Sequence, residues 1–74
     1  MPKPTEEQVH EALRKIIDNR QEKSLNWAVD YAMTGLSMNG HELKIQCLYV
    51  LNNISRWRGD EAKEVRQILK EYSK

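Results

Sequence analysis

Residues 41–57 read His41-Glu42-Leu43-Lys44-Ile45-Gln46-Cys47-Leu48-Tyr49-Val50-Leu51-Asn52-Asn53-Ile54-Ser55-Arg56-Trp57, and the way this stretch folds decides the architecture. Leu43, Cys47, Val50, Leu51, Ile54 and Trp57 recur at steps of three and four, the spacing of one helical face. Ile45, Leu48 and Tyr49 add apolar surface on the opposite side. A helix that is apolar most of the way round is usually a central one. The stretch therefore predicts a central helix over about 41–57, stopped by Gly59.

Working outward, the preceding segment predicts a helix over about 24–38. Ser24 is a good N-cap, and Leu25, Ala28, Val29, Ala32 and Leu36 form its main face. Asn39-Gly40 reads as its C-terminal signal. Gly35 is a rival, marking either an early end or a close crossing with another helix. Further upstream, Thr5 and Gln8 spell a capping box. Val9, Ala12, Leu13, Ile16 and Ile17 follow on one face, giving a helix over about 5–19. Its exposed side is braced by the i,i+4 pairs Glu11–Lys15 and Arg14–Asp18. Downstream, Asp60 is a favourable N-cap for a helix over about 60–73 with Ala62, Val65, Ile68, Leu69 and Tyr72 inward. Period-two alternation is absent. The expectation is an all-α fold, a compact bundle of four helices in one domain spanning 1–74, with residues 1–4 (two of them proline) as a frayed arm.

Composition narrows the function classes. The 74 residues carry a net charge of +1, too balanced for a protein dominated by phosphate binding. A single cysteine, Cys47, closes no disulfide within the chain. Its apolar helical setting suits an inert thiol. His10, His41 and Cys47 are not at metal-ligand spacing. The first twenty residues lack the apolar core of a secretory signal, and no apolar run approaches the ~20 residues of a membrane span. A cytoplasmic protein is the expectation. No nucleophile, base and acceptor site come together, and no glycine-rich phosphate loop is spelled. The sequence predicts no enzyme, no cofactor, no metal and no small-molecule substrate. Arg58-Gly59-Asp60 matches an adhesion tripeptide, but its local role as a helix stop followed by a helix cap explains it.

Two features remain for binding. Trp27, Tyr31 and Met38 fall together at 100° per residue, away from the main face of the second helix. Trp, Tyr and Met are enriched at protein interfaces. These three are the candidate partner-binding residues, for another protein or for a second copy of the chain. The alternative is a nucleic-acid patch: Lys63, Arg66 and Lys70 along one flank of the last helix, with Arg56 and Arg58 around Trp57 in the preceding turn. Such a set can grip phosphates and stack a base. Ala32-Met33-Thr34-Gly35-Leu36-Ser37 is spelled like the turn of a helix-turn-helix. Tyr31 and His41 stand where that motif has a small and an aliphatic residue.

The stretches Leu25–Ala32, Leu43–Asn53 and Trp57-Arg58-Gly59 resemble small uncharacterised helical proteins of bacteriophage and prophage genomes. The resemblance is carried by these stretches, all within residues 25–59. It implies a small bacterial or mobile-element accessory protein and carries over no activity or site.

Overall fold

A computed structural model describes residues 3–25 and 27–74, without the side chain of Ser24. It contains four α-helices and one short 3-10 turn: α1 (Glu6–Asp18), the turn Lys23–Leu25, α2 (Ala28–Gly35), α3 (Gly40–Asn53) and α4 (Asp60–Tyr72). There is no strand among the described residues. The chain is an all-α four-helix bundle. α1 and α3 each pack against both α2 and α4, so the four close a ring around one core. Val9, Leu13 and Ile16 enter that core from α1. Ala28 and Ala32 enter from α2, Leu43, Cys47 and Val50 from α3, and Ala62, Val65 and Leu69 from α4.

α1 starts as its sequence dictates. The Thr5 hydroxyl accepts from the Gln8 N–H (3.1 Å), and the Gln8 side-chain oxygen accepts from the Thr5 N–H (2.9 Å). These bonds satisfy two otherwise orphaned donors. Neither expected brace forms among the described residues, since Arg14 and Asp18 also make no ion pair. Lys15 reaches across to Glu64 of α4 at 2.6 Å instead of bonding Glu11 along its own helix. Asn19 closes α1 and donates to Lys15 O and to the Glu61 carboxylate in the first turn of α4. Of the expected frayed arm, Met1 and Pro2 lie outside the described residues. Lys3 Nζ donates to the Lys74 main-chain oxygen at 2.8 Å.

The second helix is shorter than the expected 24–38. Ser24 and Leu25 belong to the 3-10 turn, and α2 occupies only Ala28–Gly35. The expected Ser24 cap falls on a side chain outside the described residues. At the other end, Gly35 and not Gly40 closes the helix. A Cβ at Gly35 would stand 2.8 Å from Leu13 Cδ1 and 3.3 Å from Gln46 Cγ. The glycine therefore serves a close crossing of α2 with α1 and α3. The chain then turns through 3-10-type bonds, Ser37 N–H to Thr34 O and Met38 N–H to Gly35 O. Gly40, at φ +58°, opens α3.

α3 ends at Asn53, four residues before the expected limit. Ile54 and Trp57 still enter the core, carried there by a turn. The spacing that suggests one continuous helix arises from a helix plus a turn with the same inward residues. Gly59 lies beyond the end of α3. It sits immediately before α4 at φ +115°, ψ 173°, a conformation almost confined to glycine. Asp60 is the first residue of α4 and not its cap.

The two ends of α3 are completed by other helices. At its N-terminus Asn39 makes no side-chain cap, and the Glu6 carboxylate of α1 accepts from the Gly40 N–H and from Tyr72 OH (3.3 Å). At its C-terminus the Arg66 guanidinium of α4 donates to Trp57 O (2.6 Å) and Ile54 O (3.4 Å). No buried side-chain nitrogen or oxygen among the described residues lacks a partner.

Candidate protein-interaction surface

α3 is not the buried central helix that its all-round apolarity suggests. Its outer side faces solvent, with Ile45 40%, Leu48 47% and Tyr49 51% exposed. α2 runs beside it. Gly35 lies against Leu43 and Gln46, and Tyr31 lies against Gln46 and Tyr49. The two helices therefore run antiparallel. The Tyr31 and Tyr49 rings stack with centroids 5.9 Å apart and planes 22° from parallel. Beneath the stack, the buried Gln46 amide donates to Tyr31 O at 2.8 Å. Trp27 stands one helical turn before Tyr31, with helical backbone angles, on the same edge of α2. Trp27 is 65% and Tyr31 39% exposed. Trp27, Tyr31, Ile45, Leu48 and Tyr49 thus form one continuous apolar face across two helices.

This face is poor in charge. From Ile45 to Ser55 no side chain is charged, and α2 and α3 together carry only Asp30, Glu42 and Lys44. α1 and α4, on the other side of the bundle, carry thirteen charged side chains. Asn53 Nδ2 donates to Tyr49 O at 2.8 Å, fixing the last turn of α3 beneath the tyrosine.

Met38 does not join Trp27 and Tyr31. α2 stops three residues before it, so the 100° phase that aligns the three in sequence does not reach it. Met38 packs partly buried against the core, and its carbonyl is bonded by His10 Nε2 at 3.0 Å. In its place the face holds Ile45, Leu48 and Tyr49. Their apolar spacing is visible in the sequence, where it reads as burial. Met33 is also exposed, but two positions along the helix from Tyr31 it points to another side of α2.

The basic patch is divided by the fold. Trp57 is buried, 4% exposed, so it offers no ring for a base to stack on. Arg66 is committed to the carbonyls of Ile54 and Trp57. Arg56, Arg58, Lys63 and Lys70 remain exposed. Among the described residues, no three His, Cys, Asp or Glu side chains stand together as a metal site. Burial pushes the Cys47 thiol up to about 11. A shallow cleft of about 150 Å³ between α1 and α4 is lined by Gln8, Glu11, Ala12, Lys15, Glu64 and Ile68. It is smaller than the ~300–1,000 Å³ of small-molecule sites, and the Lys15–Glu64 pair lies in its wall. Glu64, as hydrogen-bond partner of Lys15, raises that ammonium's pKa. No helix among the described residues is long and apolar enough to cross a membrane. No protein-family model, curated protein or solved structure matches the chain.

Proposed function

We propose that this chain is a non-enzymatic protein-binding module that works by burying the α2–α3 face against a partner. One observation carries the reading. Five large apolar side chains on two adjacent helices are left in solvent as a single face, while charge is concentrated on α1 and α4. Scattered exposed apolar residues are ordinary on any protein, but a contiguous patch marks an interaction site. Taking a large apolar side chain from full exposure to full burial is worth about 1.5–3 kcal/mol. These five stand 39–65% exposed, so each offers roughly half of that, enough in aggregate to drive association once its entropic cost is met. The Tyr31–Tyr49 stack holds two of the five in place before binding, which lowers that cost. An accessory role in a phage or mobile element, as the sequence resemblance implies, is compatible with such a module.

A photo-crosslinking residue placed at Leu48, in cells expressing the full chain, tests this reading. Discrete protein adducts are expected from position 48 and not from Glu11 on α1. Adducts from position 11 alone, or none from 48, overturn the reading.

A further inference from the structure

We infer that the partner seated on the α2–α3 face is a second copy of this chain, in a two-fold pairing of α2–α3 against α2–α3. The inference rests on the protein-binding reading of that face and names its occupant.

The first support is chemical self-complementarity. In a two-fold interface each residue near the axis meets its own copy. A charge there would face a like charge. Here the centre of the face, from Tyr31 across Tyr49 to Ile45 and Leu48, carries none. Apolar and aromatic surface is complementary to itself. A net charge of +1 leaves little long-range repulsion between copies. Charges enter only at the rim and in both signs, Asp30 and Glu42 against Lys44, so opposite charges are available to pair across a dimer boundary.

The second support is area. The exposed fractions of the five side chains correspond to roughly 500 Å² of accessible surface, taking ~150–250 Å² for a whole large side chain. A standard stable interface takes about 800 Å² from each partner. A rim of Thr34, His41, Lys44 and Asn52, all on these two helices, brings the face to that scale. The third support is size. A chain of about 70–80 residues commonly needs a staple beyond its own core. Cys47, single and buried, closes no bridge within the chain, whereas a second copy extends the core outward through α3.

Sedimentation equilibrium of the full chain over a wide concentration range tests the pairing. The expected result is an apparent mass rising from 8.7 kDa to twice that value. Leu48→Glu and Tyr49→Arg should hold the mass at the single-chain value with unchanged far-ultraviolet circular dichroism. Glu11→Lys on α1 should leave the doubling intact. A single-chain mass at every concentration overturns the self-pairing, as does doubling that survives both face substitutions. If the Leu48 crosslinker then yields adducts whose added mass is not that of this chain, the pairing fails and the protein-binding reading stands. If it yields none, both fall.

Discussion

Cys47 shows how one side chain ties the interior to solution conditions. It is fully buried on the inner face of α3, and loss of hydration raises its thiol from 9.0 to about 11. The neutral thiol is thus favoured by the fold. Below pH 9 both folded and unfolded chains hold the proton, and the contribution to stability is fully present. Between pH 9 and 11 the unfolded chain ionises first, so stability falls as pH rises through that window. Each step of one in pH between those two values costs about 1.4 kcal/mol, so the loss reaches about 2–3 kcal/mol. Tyr72 acts in the same direction, its phenol raised by burial and then by the Glu6 carboxylate. Urea unfolding midpoints measured from pH 8 to 11 should therefore decline. Cys47→Ala should be less stable at pH 8 but decline less steeply, leaving the shares due to Tyr72 and to Lys15, whose ammonium is paired with Glu64. Parallel declines would mean the thiol is not the buried acid described here.

At the scale of the helix, α3 depends on its neighbours for both ends. Glu6 holds its first N–H, and Arg66 holds the carbonyls of Ile54 and Trp57 in the turn that follows its last residue, Asn53. Hydrogen bonds to a charged group are worth about 1.5–3 kcal/mol, and a cation near a helix C-terminus adds a favourable dipole interaction. Arg66→Met should therefore lower unfolding stability by about 2 kcal/mol, whereas Lys63→Met, one turn away and exposed, should change it by less than about 0.5 kcal/mol. Equal effects would show that Arg66 is an ordinary surface base. These end contacts also explain what the sequence can and cannot disclose. The capping box at Thr5 and Gln8 is local, so the start of α1 is legible. The ends of α2 and α3 are tertiary. Gly35 ends α2 against Leu13, a residue 22 positions away, and the turn after Asn53 is held by Arg66 from α4. Helical periodicity cannot separate Trp57 on a helix from Trp57 brought inward by a turn. Nor can it separate a buried central helix from one with a bare apolar side, and for that reason Ile45, Leu48 and Tyr49 read as core.

Across the whole molecule the division of chemistry is the point that bears on function. One side, α1 and α4, is densely charged, with eight acidic and five basic side chains. The other, α2 and α3, is apolar and nearly uncharged. A nucleic-acid-binding protein requires the reverse weighting on its working face, a concentrated excess of bases able to displace counterions. Lys63 and Lys70 stand on the same helix as Asp60, Glu61, Glu64 and Glu71, which offsets their field. Arg66 and Trp57 are already engaged within the bundle. The turn between α2 and α3 resembles the DNA-reading motif in order alone, since the outer side of α3 presents Ile45, Leu48 and Tyr49 where base- and phosphate-reading side chains would stand. The chain should therefore cause no retardation of duplex or single-stranded DNA in a mobility assay at low salt. Suppose retardation did appear, weakening by about 0.9 log units in affinity per log unit of salt for each duplex phosphate neutralised, and vanished in a variant combining Arg58→Glu and Lys63→Glu. The working surface would then be the charged side. If it vanished instead with Tyr49→Arg, the apolar face itself would be the contact, because adding a base there should only strengthen a purely electrostatic attraction.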